Sequence, residues 1–469
     1  MIKKVIESCT GKSVVSLPEY EDLWLEWYKG DVQKFHHYEM YNGDKTIQCQ
    51  RKTLNMPKKI SEDWANLLLN EKTDVVAGDA TQQKKLWELL NKVNFWQKGN
   101  EGIEKTFALG NGAFVEGYDD KGNVRLQFVN AKKIYPITIE QDKVTECAFV
   151  NVNSRTTIIQ IHIRGSIVQD TKGTLFIPDD KGNYHIRTLV YEKKINDRSK
   201  SLGELISDSI EDTKSQRAWF QLLKPNIANN IDINSPMGIS IFANALDNLE
   251  GVDLAYDSFC EEMRLCKARI FIDSKLTRYD ATGEHKVFDN RDVGFYVYGD
   301  GEGKQPLTVY NPTLRTSEYF AGINNALNLL SSKVGFGENH YRFDNGGVTT
   351  ATQVISENSE MFRTLKKHEI LINDVIIDVC KALMYIHNEF SGDSFKFNLE
   401  DNLEVKFDDS IIEDKETQKM ADRQDVNMNV MSKVDYRMKW YNEDEETAKK
   451  KIAEIEEATR NNSSAWFSE

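Results

Sequence analysis

Three stretches of this chain repeat apolar residues at steps of three and four for longer than an ordinary helix runs. Residues 236–267 place Phe242, Ala245, Leu246, Leu249, Val252, Ala255, Phe259, Met263 and Cys266 in one file. Residues 314–334 do the same with Phe320, Ile323, Leu327, Leu330 and Val334. Residues 350–390 follow with Val354, Met361, Leu365, Ile372, Val375, Val379, Leu383 and Ile386. Such spacing puts each file on one face of an α-helix, so the pattern predicts three long helices with narrow seams. At the usual helical rise the first would be about 45 Å long and the third about 60 Å. Only 8 prolines occur in 469 residues, which leaves helices of this length uninterrupted. Asp247, Glu250, Asp253, Asp257, Glu261 and Glu262 fall on other faces of the first helix. A narrow stripe on so long a helix points to packing against neighbouring helices in a ring or bundle.

Between the first two helices, residues 268–312 turn strand-rich, with candidates at 269–272, 293–298 and 307–310 and a glycine loop at 299–303. Two helices flanking a compact insert outline an antiparallel stalk with a small head. After the second helix, GFGENHYRFDNGGVT (residues 335–349) breaks the pattern with four glycines. The first hundred residues read as helical with one interruption. Leu23, Trp24 and Trp27 precede a stop at Gly30, and Ser61, Glu62 and Asp63 make a helix entry. Residues 106–194 read as strands, clearest at 124–129, 157–163 and 185–191, with the pentapeptide DDKGN at 119–123 and again at 179–183 as hairpin turns. A pair of strands is expected around 395–407. The last sixty residues read as charged helix that frays after Arg460. The class is α+β.

The net charge of −14 argues against non-specific grip on DNA, which clusters of Lys and Arg drive. No run of about 18 apolar residues predicts a membrane span. The six cysteines, Cys9, Cys49, Cys147, Cys260, Cys266 and Cys380, form no CxxC pair, and the opening MIKKVIESCT lacks the apolar core of a signal peptide. Both features fit free thiols in a reducing cytoplasm.

The search for chemistry returns almost nothing. In the nearest approach to a phosphate loop, Tyr298 stands where the first glycine belongs and Gln305 where Ser or Thr would follow Lys304. His368-Glu369 lacks the second histidine of a zinc protease and reads as a solvated or interface pair, and His36-His37 stands isolated. The acids of the DDKGN turns lack the spacing of a calcium loop, and no GxSxG occurs. No catalytic residue, metal or cofactor is expected.

Several segments together resemble the portal proteins of tailed bacteriophages, in particular those of long-tailed phages of Gram-positive bacteria. The carriers are TTATQVISENS (residues 349–359) with Arg363-Thr364 and Lys367-His368-Glu369, then LWLEWYKG (23–30) with KKISEDWANLLLNEK (58–72), and the order helix, insert, helix, loop, long helix, acidic helical tail. The resemblance spans essentially the whole chain. It implies a dodecameric ring at one capsid vertex of the virion, assembled in the host bacterial cytoplasm. Double-stranded DNA would be packaged and ejected through its tunnel. The implied partners are further copies of the chain, the terminase, head-completion or adaptor proteins, and major capsid and scaffolding proteins, with no membrane. The implied parts are a mixed α/β wing (1–236), stem helices (237–267 and 314–334), a clip (268–313), a tunnel loop (335–349), the long helix with closing strands of the wing (350–410), and a helical crown (411–469). The loop would bring Gly335, Glu338, Asn339, Arg342, Asp344, Asn345, Gly346 and Gly347 to the DNA, and the clip would offer Arg291 and Asp292 to partners. The alternative is an enzymatic subunit, nuclease or motor, of the same packaging machine.

Overall fold

The computed structural model describes residues 1–15, 20–41, 43–170, 173–179, 182–194, 202–273, 295–298, 307–343, 351–407, 415–441 and 443–465. The chain divides into two compact units, one of residues 1–345 with 363–407 and one of residues 346–362 with 408–469.

The first unit begins with α1 (Ile2–Thr10), α2 (Tyr20–Lys29) and the single turn α3 (Gln33–His36). A hairpin of β1 (His37–Tyr41) and β2 (Thr46–Gln50) follows, inside the stretch read as helical. Then come α4 (Met56–Leu68), β3 (Asp74–Val76), α5 (Ala80–Lys92) and α6 (Phe95–Leu109). Gly30 ends α2 in the left-handed region, at φ 72°. Ser61 is not a helix entry. Pro57 stands in the first turn of α4, and Ser61 lies buried mid-helix, donating its hydroxyl to the Pro57 carbonyl at 2.8 Å. Trp24, Trp27 and Trp64 are buried where α2, α4 and α6 meet, and Lys58 of α4 pairs with Glu104 of α6 at 2.8 Å.

The strand-rich stretch supplies β4 (Gly112–Tyr118), β5 (Val124–Asn130), β6 (Ile134–Glu140), β7 (Lys143–Val152), β8 (Thr156–Asp170), β9 (Gly173–Pro178), β10 (Tyr184–Glu192), β11 (Glu204–Asp212) and β12 (Phe220–Leu223). One sheet runs β11-β10-β8-β7-β6, with β9 extending β8, and a second runs β12-β4-β5. Alternation along β8 explains how the six-stranded sheet buries both faces. Ile159, Ile161 and Ile163 pack with Ile6 of α1, while His162 turns to the other face against Phe149 and Phe220. There Phe149 joins Val115, Val129 and Phe220 of the smaller sheet. Each fully buried side chain of this size contributes about 1.5–3 kcal/mol. The first DDKGN forms the β4–β5 turn, where Asp119 accepts from the backbone N–H of Lys121 and Asn123 and Gly122 takes φ 77°. The second lies partly outside the described residues.

The remainder of the unit is α7 (Leu246–Leu265), β13 (Arg269–Asp273), β14 (Phe295–Tyr298), β15 (Leu307–Tyr310), α8 (Thr316–Lys333), most of α9 (Ala351–Phe390) and β16 (Glu404–Lys406). The first long helix starts at Leu246, not at 236. Met237, Ile239, Ile241 and Phe242 are buried ahead of it, with Ile241 N–H bound to the Phe107 carbonyl and Gly238 N–H to Asn111. β16 pairs with the distant β3 and, among the described residues, forms no hairpin with a nearby strand. The second unit contains α10 (Lys415–Asn427), α11 (Lys433–Tyr441) and α12 (Glu445–Ala465). Polar links help hold it. Arg437 pairs with Glu443 at 2.8 Å, and Trp440 Nε1–H donates to Asp422 at 2.7 Å. No residue of α11 is buried.

Candidate functional site

α7 and α8 pack side by side as an antiparallel hairpin, burying Leu249 and Val252 of one and Ile323, Leu327 and Leu330 of the other. Toward the insert the seam opens, leaving Met263 43% and Phe320 44% exposed. The two helices are tied there by Arg315, whose guanidinium donates to both carboxyl oxygens of Glu262 at 3.0 and 2.8 Å and holds that carboxyl below its usual range. The insert is a three-stranded sheet ordered β14-β13-β15, with β13 parallel to β14 and antiparallel to β15. Arg291, Asp292 and the glycine loop at 299–303 lie outside the described residues.

Two acids of α7 are not solvent-facing. Asp253 and Asp257 are buried. Asp253 accepts from Thr53 Oγ1 at 2.8 Å and from Leu54 N–H at 2.9 Å, and it meets His36 Nε2 at 3.1 Å. Val32 N–H donates to His36 Nδ1 at 2.8 Å, so the proton of the neutral ring sits on Nε2 and points at Asp253. Asp257 accepts from Lys52 N–H at 2.9 Å. The segment after β2 is thereby bolted to α7, and the supposedly isolated His36 is one of the bolts. The sequence signal was available, since Leu249, Asp253 and Asp257 stand at steps of four beside the seam.

Gly335 closes α8 in the left-handed region at φ 88°, with Phe336 N–H returning to the Ser331 carbonyl at 3.0 Å. Phe336 then stacks on Trp64 with ring centroids 4.4 Å apart, and Trp64 Nε1–H donates to the Val334 carbonyl at 3.3 Å. From there the chain is stitched to α8 by side chains of that helix. Asn339 N–H donates to Asn328 Oδ1 at 2.7 Å, Tyr341 N–H to Ser331 Oγ at 3.1 Å, and Phe343 N–H to Asn324 Oδ1 at 2.9 Å. The Asn339 side chain accepts from Asn328 in return, and Tyr341 donates its hydroxyl to Asp63 of α4 at 2.9 Å. Glu338 and Arg342 are exposed on this stitched segment, while Gly335 and Asn339 shape it. Asp344, Asn345, Gly346 and Gly347 lie outside the described residues.

His368 of α9 is buried against Trp64 and Phe107, at ring distances of 5.1 and 4.9 Å, and its Nδ1 accepts from Asn226 N–H at 3.0 Å. It is therefore no solvated pair with Glu369. Burial lowers its pKa to about 3, so it stays neutral. Among the described residues, no group of three His, Cys, Asp or Glu side chains could hold a metal ion. No helix described is long and apolar enough to cross a membrane.

The profile of the family described as "Phage portal protein, SPP1 Gp6-like" matches residues 15–464. No curated protein matches the chain. Solved structures similar to it include a chain from the neck of a native GTA particle computed with C12 symmetry. It is 11% identical, with 93% of this chain and 97% of that chain covered and a TM-score of 0.44. A chain from the virion of a native gene transfer agent particle is 10% identical, with 93% and 98% covered and a TM-score of 0.44. The family is structural and not enzymatic, which sets aside the nuclease or motor alternative. With the family profile spanning nearly the whole chain of an α+β fold, the protein belongs to the SPP1 Gp6-like phage portal family.

Proposed function

We propose that this portal protein closes into a dodecameric ring at one capsid vertex and conducts double-stranded DNA during packaging and ejection. The observation that carries this reading is the α7–α8 hairpin, which holds a small sheet between its helices and leaves the outer part of its seam, Met263 and Phe320, exposed. Apolar side chains left open in this way favour a heterologous contact with the next copy, which closes into a ring when the rotation allows. In this reading α7 and α8 are stem helices. The β13–β15 insert, with Arg291 and Asp292, is the clip that docks terminase and adaptor proteins. Residues 335–349 are the tunnel loop, residues 1–236 with the strand after α9 form the wing, and residues 411–469 form the crown toward the capsid interior. Scaffolding and major capsid proteins meet the ring during assembly in the cytoplasm of a host, which the resemblance suggests is Gram-positive. A net charge of −14 supports a tunnel that does not trap phosphate. Exposed Glu338 and Arg342 of opposite sign suit brief contacts with DNA. Native mass spectrometry tests the reading. A closed assembly of about twelve copies is expected, and monomers alone across salt and protein concentration would contradict it.

A further inference from the structure

Among the described residues β5 pairs on one side only, with β4, and so ends its sheet. Two hollows of about 650 and 290 Å³ lie between β5 and the facing six-stranded sheet. They share Gln127 and Gln160 in their walls, and between them they touch every residue of β5 from Val124 to Asn130. Together they make one groove beside a free strand edge. Among the described residues that line it, His162, which is buried, and Asn130 carry side-chain polar atoms without partners, closed off from the groove. One acceptor of this edge is already taken, the Leu126 carbonyl by the Lys98 ammonium at 2.8 Å. The smaller hollow is lined by Lys133 and by Lys105, which pairs with Glu101, and by no acid among the described residues, in a chain whose net charge is −14.

We propose that the β5 edge and its groove bind an acidic, extended polypeptide segment of a partner protein, which adds to the sheet as a further strand. A free edge supplies backbone donors and acceptors, and alternate side chains of the added strand enter the groove, where Ile158 and Phe149 offer apolar contact and Gln127 and Gln160 polar contact. Acidic residues at the end near Lys105 and Lys133 complete the match. A nucleic acid fits less well, because Asp119, Asp120 and Glu211 line the opposite end and repel a continuous phosphate backbone.

The test uses the full chain and a fluorescent synthetic peptide alternating Val with Thr, with Glu residues only at the end that would meet Lys105 and Lys133. Its controls are the Lys counterpart, the same acidic peptide N-methylated at alternate backbone positions, and an oligothymidylate competitor. The acidic peptide is expected to bind. Affinity should fall about tenfold on N-methylation, and about tenfold in the double variant Lys105→Glu, Lys133→Glu, while the Lys peptide fails to bind. N-methylation leaves the protein untouched, so that arm holds even if the variant misfolds. Equal binding of the N-methylated peptide, absence of acidic-peptide binding, or displacement by oligothymidylate with the same dependence on the two lysines would overturn the proposal.

Discussion

Asp253 takes the half-buried Thr53 and Leu54 as donors while facing the His36 Nε2 proton, with Asp253 and His36 both buried. Removing the carboxylate leaves the His36 Nε2–H buried and unpaired and takes the acceptor from two half-buried donors. Asp253→Ala is therefore expected to cost about 1–3 kcal/mol, read as a fall in Tm, with Asp253→Asn costing less because it keeps one acceptor. An unchanged Tm for the alanine variant would contradict the bolt. His162 and His368 make a second prediction at this scale. Burial lowers both to about 3 from 6.5, so between those pH values the unfolded chain binds protons that the folded chain refuses. Their contribution is fully present above pH 6.5 and is lost progressively as pH falls toward 3. His368→Gln keeps a side-chain acceptor for Asn226 N–H and should flatten the loss of stability below pH 6.5 in urea titrations. An identical slope would show that His368 does not carry it. Neither histidine could be placed from sequence, because burial depends on residues far along the chain, such as Trp64 and Asn226.

Among the elements, α8 and α9 were legible because their seams run at one period with no competing signal. The start of α7 was not. Met237, Ile239 and Ile241 alternate as a strand would, but Phe242 and Ala245 continue the helical file beyond them and mask the change. The β1–β2 hairpin escaped because its strands are short and largely exposed, which leaves little hydrophobic pattern to read. The stitched half of the α8–α9 connection was read as one open loop with the rest. Its anchors, Asn324, Asn328 and Ser331, are ordinary polar residues of a helix until the chain folds back on them. Gly335 makes a prediction here. A side chain at φ 88° is strained, and its Cβ would stand 2.7 Å from Thr364 Cγ2. Gly335→Ala should lower stability by about 1–2 kcal/mol, and a neutral Tm would contradict the geometry. Deleting Asn345–Gly347 should leave rings intact but impair DNA packaging or retention. Normal packaged length and retention in such heads would make the loop a connector only.

For the whole molecule, the order of helix, insert, helix, loop and long helix was readable from the chain, and the family match spans the same extent. Which seam residues stay open was not readable. Phe259 packs at 5.5 Å from Phe320, yet Phe320 stays 44% exposed, and only the folded hairpin separates the covered part of the seam from the open part. The central claim is that the chain forms the DNA conduit at a single vertex. Cryo-electron microscopy of DNA-filled heads carrying this protein, reconstructed without imposed symmetry, tests it most directly. The account predicts a closed ring of this chain at one vertex with DNA density along its axis. Filled heads in which the chain is absent, or spread over the shell with no axial channel, would contradict it.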